Sequence, residues 1–375
     1  MNPTTTKNAL VVNSKTLYYQ LKKLAAALPS RSVLPIIENF LFDISGDTLR
    51  LVSTNLEISM TAAINLESTQ EDRAVAVPGK VILDILSELP EQPISISFSK
   101  NTMQITADSG KYKIACEDGK DFPQVPIISG AVMRSKELGE GIKKVLYAAS
   151  SDEDKAALNG VYITSQDGKL TFVATDAHRL QVCRTSENIG EDPDIIIPLR
   201  AAAIIAGLVD SSAEIKMQAG SSNVLFTAGG INIFCRLIDQ KYPNYEGVIP
   251  TQNNKFLEVE KKTFLKALKR VKIFANKSTY QVKMSVAGSL LTLECEDPDF
   301  ANKANEQIEC EYIGEDSTIG FNAELLYDTC ARTDGDIIKI EMSEANRPAI
   351  ILPEMQTDGT HNLGLVMPIM LNSYE

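Results

Sequence analysis

The chain has 375 residues, 44% of them hydrophobic, and a formal net charge of −12. That length exceeds one ordinary domain and divides into two or three, and no apolar run is long enough to span a bilayer, which excludes a helical membrane protein. The acidic balance excludes a protein that coats nucleic acid through its whole surface, because phosphate binding needs excess Lys and Arg, and it leaves room for a local basic strip.

Residues 1–8, MNPTTTKN, lack both the apolar core of a signal peptide and the arginines of a transit peptide, so the default expectation is a cytoplasmic protein. From Asn8, "NALVVNSKTLYYQLKKLAAALP" reads as a short strand, a polar cap and an amphipathic helix, with Leu17, Leu21, Leu24 and Leu28 on one stripe and Lys22 and Lys23 away from it. A hairpin, "LFDISGDTLRLVSTN", turns at Gly46, and a second helix, "VPGKVILDILSEL", precedes alternating strands such as "ISISF". The same order returns from Ala131. There "AVMRSKELGEGIKKVLYAAS" sets Leu138, Ile142, Val145 and Ala149 against Lys143 and Lys144, "VYITSQDGKLTFVATD" turns at Gly168, and "IPLRAAAIIAGLV" leads to the alternating "NVLFTA". It returns again from Lys255, where "KFLEVEKKTFLKALKRVKIFAN" sets Leu265, Leu268 and Val271 against Lys266, Lys269, Arg270 and Lys272, before "VKMSVAGSLLTLECED" with Gly288 and "IGFNAELLYDTCA". The three turn glycines lie 122 and 120 residues apart. A period near 120 is the size of a domain, which predicts three copies of one α+β domain at 1–128, 129–252 and 253–375.

Lysines on one such helix would merely solvate an outer face. On the equivalent helix of three domains in an acidic chain, they read as a positive strip facing one polyanion. If two helices per domain line a hole and six domains close a ring, twelve helices of roughly 10 Å diameter give a circumference of about 120 Å and a bore of about 38 Å, wide enough for duplex DNA. Six domains are two copies of the chain, and contacts across such a gap would reach phosphates only, making them salt-sensitive and blind to sequence. Six singly placed cysteines have no paired spacing suited to zinc or a redox centre and read mostly as buried thiols. No nucleotide, metal or cofactor site is apparent.

Several blocks stand in one order along the chain: "SRSVLPIIENFLFDISGDTLRLVSTNLEISM" at 30–60, "LNGVYI" at 158–163, "ATDAHRLQVCR" at 174–184, "YPNYEGVIP" at 242–250, "NRPAIILP" at 346–353 and "VMPIML" at 366–371. With them the sequence resembles the bacterial sliding-clamp family, the beta subunits of the replicative DNA polymerase. The resemblance implies an α+β fold of three clamp-type domains, each with two helices packed on antiparallel sheets, and a six-domain ring made by a head-to-tail homodimer around duplex DNA. It implies no catalysis and no membrane. The replicative polymerase catalytic subunit, a clamp loader, other polymerases and repair factors would dock through short linear motifs. Carried over position by position, the peptide pocket comprises Leu158, Thr175, Ala177, His178, Arg179, Leu180, Pro243, Val248, Pro348, Leu365, Met367, Pro368 and Ile369. Arg31 matches an arginine of the family, and Lys22, Lys23, Lys80, Lys143, Lys144, Arg200, Lys266 and Lys269 are phosphate partners or equally solvated surface charges. The resembled dimer interface would set Tyr112 and Ile114 against Ile273 and Phe274, an apolar pair at the end of a basic helix. Three features depart from the family pattern: Ala177 where glycine is usual, Met370 where arginine is common, and Asn372–Glu375 extending past Leu371.

The stretch "FVATDAHRLQV" holds one of only two histidines, between an acid and a guanidinium. Asp176 corresponds to Asn55 and Asp297 at spacings of 121, which predicts a turn or cap residue. His178 and Arg179 have no such counterparts, and the other histidine, His361, sits in a "DGTHN" turn. A hydrolase built on Asp176 and His178 would need an oriented nucleophile or a metal partner, and none is in view. For "AHRL" the remaining alternatives are core packing and a binding surface. A monomeric three-repeat peptide-binding scaffold would share the pocket without the ring.

Overall fold

The computed structural model describes residues 9–188, 192–208 and 214–371, with the backbone alone at 68–70; residues 1–8 and the Asn372–Glu375 extension lie outside the described residues. Among the described residues six α-helices, α1 (Ser14–Leu24), α2 (Gly79–Glu88), α3 (Leu138–Val145), α4 (Leu199–Leu208), α5 (Lys261–Val271) and α6 (Ala323–Arg332), accompany four antiparallel sheets. α1 starts on a side-chain cap, Asn13 Oδ1 accepting from the amides of Lys15 and Thr16, and α5 starts on Glu260, which accepts from the amide of Thr263. None of these helices is long and apolar enough to cross a membrane.

α1, α3 and α5 each run into a single 3-10 turn, at Ala25–Ala27, Leu146–Ala148 and Lys272–Phe274. The tighter turn moves the buried stripe by three residues instead of four. The next buried positions after Leu24 and Val145 are therefore Ala27 and Ala148, while the expected Leu28 and Ala149 are only partly buried. In the third repeat Phe264, Ala267, Leu268 and Val271 face the core and Leu265 sits at its margin. There the place of Ala27 and Ala148 falls to Phe274, which is exposed.

The hairpin glycines all adopt positive φ, 58° at Gly46, 75° at Gly168 and 56° at Gly288, a backbone that residues with a side chain rarely adopt. Gly46 bends the strand Asn39–Thr54. Its two halves pair with two separate parts of Ile58–Pro78, 39–44 with 73–78 and 48–54 with 59–65.

Two seams join one repeat to the next through the sheets: Ile58–Pro78 pairs with Ile231–Arg236, and Arg179–Asn188 pairs with His361–Val366. The chain falls into two compact units. One holds residues up to Lys136 and from Gly207 to Leu237, and the other holds Glu137–Ala206 and the residues from Ile238 onward. The division passes through the central repeat because sheet pairing ties its strands Val132–Ser135, Ile215–Ala219, Asn223–Ala228 and Ile231–Arg236 to the first repeat, and its strand Arg179–Asn188 to the third. All six cysteines are buried thiols, and burial pushes those of Cys183, Cys235 and Cys295 up to about 12, which leaves them protonated at neutral pH.

Candidate functional site

The loop after strand Lys169–Thr175 repeats a loop of the first repeat almost atom for atom. Asp176 Oδ1 accepts from the amides of His178 and Arg179, both at 2.9 Å, as Asn55 Oδ1 accepts from Glu57 and Ile58 at 3.1 and 2.7 Å. The Thr175 hydroxyl donates to the Arg179 carbonyl at 2.6 Å and accepts from the Ala177 amide, and Thr54 makes the same two bonds with Ile58 and Leu56. Ala177 and Leu56 both sit at positive φ, 78° and 76°. Asp176 is therefore a turn residue, as its spacing predicts, and Thr175 belongs to the same turn. Asp297 departs from this role. It is buried, accepts from Asn276 Nδ2 at 3.1 Å, and the chain leaves it through the 3-10 turn Pro298–Phe300.

Sheet register decides which side chains of "AHRL" share a face. Leu180 pairs with Leu365, which pairs with Ile350, and all three are buried in one apolar cluster. The next rung on that face, two residues along each strand, holds His178, Met367 and Pro348, and the Met367 amide donates to the His178 carbonyl at 2.8 Å. Here the row emerges: His178 and Met367 are exposed and Pro348 is half-buried. Leu158 and Ile249 pack against the same cluster, above a stacked pair, Tyr162 and Tyr242, whose ring centroids are 4.6 Å apart. Val248 and Pro243 are exposed on the segment that carries Tyr242 and Ile249. Pro368 and Ile369 pair with Phe321 and Gly320. Leu180 and Leu365 thus form a floor, and Leu158, His178, Met367, Pro348 and Val248 carry the accessible part.

Arg179 belongs to the rung between, with Val366 and Ala349, and points to the opposite face of the sheet. Its Nε donates to Asp176 Oδ2 at 3.0 Å, its Nη1 donates to Asp328 Oδ2 on α6 at 3.1 Å, and its Cζ lies 5.1 Å from the Tyr147 ring centroid. This side chain, 13% exposed, is held on the α6 side of the sheet. With Oδ1 held by two amides and Oδ2 by Arg179, Asp176 has no oxygen poised as a base. Among the described residues no three His, Cys, Asp or Glu side chains cluster to hold a metal.

The basic residues separate into two groups. Lys22, Lys23, Arg31, Lys80, Lys143, Arg200, Lys266 and Lys269 are exposed. Lys144, expected beside them, ion-pairs with Asp334 at 2.6 Å, and Lys143 lies 3.6 Å from Glu140, so for both a closer partner competes with any phosphate. Ile273 and Phe274 are exposed, at 66% and 39%, and so is Phe300, at 74%, which sequence reasoning missed. Tyr112 is half-buried on the strand Gly110–Ala115, whereas Ile114 is already buried in its own sheet. Tyr147, Asp328 and Arg332 also escaped notice. Their partners lie far away in sequence, 149 residues from Arg179 to Asp328 and 185 from Tyr147 to Arg332, and no local pattern reports that.

Three family models match in succession: the N-terminal domain of the DNA polymerase III beta subunit over residues 9–126, its central domain over 132–244 and its C-terminal domain over 246–369. The chain belongs to the DNA polymerase III beta subunit family. Relatives in this family include the beta sliding clamps of Synechocystis sp., 28% identical with 96% of this chain and 99% of the relative covered, and of Pseudomonas aeruginosa, 25% identical with the same shares covered. Solved structures agree with the fold. The beta subunit of Bartonella birtlesii bound to griselimycin has a TM-score of 0.91 at 26% identity, and that of Thermotoga maritima 0.90 at 25%, each with 97% of this chain and all of the other covered. The fold is that of three clamp domains, and the beta subunit is a sliding clamp, a non-catalytic processivity subunit of DNA polymerase III.

Proposed function

We propose that two copies of this chain close head to tail around duplex DNA and hold the replicative polymerase on it, and that the apolar row at His178, Met367 and Pro348 receives the partners' peptides. The observation that carries the ring is the register of the two seams. Ile58 pairs with Cys235 and Arg179 with Val366, and these are equivalent positions of successive repeats. One counterpart of each seam strand remains at a sheet edge: Gly110–Ala115 ends one sheet and Asn302–Glu309 ends another. Carrying the register over pairs Asn302 with Ile114 of the partner subunit and Ala304 with the partner's Tyr112. Ile273, Phe274 and Phe300 supply apolar surface for that contact. Gly110–Ala115 brings Lys111 and Lys113, and Asn302–Glu309 brings Lys303 with Glu306 and Glu309, so the opposed edges differ in net charge.

Domains at 1–128, 129–252 and 253–375 then give six to the ring, with the exposed lysines of α1, α3 and α5 meeting the phosphates. An acidic body with a basic lining retains DNA by enclosure and lets it slide, since no contact reads a base. Chromosome replication places the protein in the cytoplasm. ATP-driven opening falls to a separate loader.

The test is release from DNA. After loading by a clamp loader with ATP at moderate salt, the protein should stay on circular plasmid and leave a linearised one. Equal release from both would leave the monomeric scaffold as the better account.

A further inference from the structure

Arg179, Tyr147, Gln181, Asp328 and Arg332 form one assembly on the sheet face opposite the peptide row. The Tyr147 ring has two guanidinium groups over it, with Arg179 Cζ 5.1 Å and Arg332 Cζ 4.5 Å from its centroid. Its hydroxyl donates to Gln181 Oε1 at 2.7 Å, and burial keeps the phenol neutral by pushing its pKa up. Tyr147 stands on the 3-10 turn after α3, and Asp328 and Arg332 stand one turn apart on α6. Arg179 is the only member in the loop that also presents His178. Its guanidinium bonds Asp176 within the loop and Asp328 on α6.

We propose that Arg179 and Tyr147 are positioning residues for the peptide site: they brace the loop Thr175–Arg179 against α3 and α6 from behind, and so fix the height of His178 over Met367. The Asx turn sets the shape of the loop, the Met367 amide donating to the His178 carbonyl at 2.8 Å ties it to the neighbouring strand, and the Arg179 guanidinium adds the tie to α6. The first repeat shows the difference. Its sister loop has the same turn, but Ile58 stands where Arg179 does, and an apolar side chain there has no charged reach to a helix. A planar guanidinium held by two carboxylates and one aromatic face restricts the loop more than an ammonium or an aliphatic chain would.

This inference rests on the peptide-site reading, and the experiment separates the two. Affinity for the organism's own replicative polymerase catalytic subunit is measured by surface plasmon resonance for the full-length dimer and five variants. Met367→Asp tests the site itself and should abolish binding; unchanged binding would overturn the site and the brace together. Tyr147→Leu should weaken binding about tenfold with the dimer intact, and Tyr147→Phe, which keeps a ring beside both guanidiniums, should restore most of it. Asp328→Asn provides a second route should Tyr147→Leu fold poorly, and should also weaken binding severalfold. The Tyr147→Leu/Asp328→Asn double variant should lose little more than the worse single one, since both remove one brace. If Met367→Asp abolishes binding while Tyr147→Leu and Asp328→Asn bind like the parent, or if their losses multiply, the brace is wrong and the site stands.

Discussion

Ala177 occupies a backbone conformation in which a Cβ approaches the following carbonyl. The turn imposes it: Thr175 and Asp176 together take three amides and donate to one carbonyl, and a left-handed residue directly after them closes the loop. Leu56 bears the same strain in the first repeat, so the strain belongs to the turn and not to the peptide site. Ala177→Gly should therefore stabilise the protein by about 1 kcal/mol, less what the freer unfolded chain takes back. A thermal midpoint no higher than the parent's would contradict this. The role of Asp176 was legible in sequence because three repeats aligned it, and the role of Arg179 was not. Alternation across a paired strand assigns it to a face, but its partners are known only once α6 is folded against the sheet.

At the scale of one helix, α3 differs from its sisters by a glycine. A Cβ on Gly141 would stand 2.3 Å from Phe172 Cε2, whereas the equivalent positions carry Gln20 on α1 and Ala267 on α5. The strand beneath varies in the opposite sense, with Phe172 in the second repeat and Leu51 and Leu293 in the first and third, all fully buried. One domain volume is filled by large on small or by smaller on larger. Gly141→Ala should destabilise by about 1–3 kcal/mol although alanine favours a helix by about 1 kcal/mol, because the ring cannot retreat. Adding Phe172→Leu should recover most of that loss in thermal denaturation, and a double variant no more stable than Gly141→Ala would sink the account. The 3-10 turns after α1, α3 and α5 are the other correction at this scale. A 3.6-residue stripe predicts Leu28 and Ala149 inside, and one tighter turn delivers Ala27 and Ala148 instead. Period counting does not detect that change, because both patterns place small apolar residues within one position of each other.

For the whole molecule, the decisive feature is that the sheets do not stop at repeat boundaries. Two seams share one register, and their counterpart edges remain open. Ile273→Asp combined with Phe274→Asp should place two carboxylates in a desolvated contact and yield monomers in analytical ultracentrifugation, without lowering the thermal midpoint by more than about 1 kcal/mol equivalent, since both side chains are exposed within one chain. A dimer of unchanged stability would remove these residues from the interface. Of the basic residues, Lys144 answers to Asp334 and Lys143 to Glu140.

The sequence by itself determined the threefold repeat, the family, the α+β class, the buried cysteines and the turn at Asp176, because each is written in local periodicity or in spacing that recurs every 120 residues or so. Only the tertiary structure decided which face of a strand each proposed pocket residue takes, which basic residues are already paired, and where the compact units divide. Those outcomes depend on register and on ion pairs between residues more than a hundred positions apart, such as Lys144 with Asp334 and Arg179 with Asp328. Folding alone brings them within reach of one another.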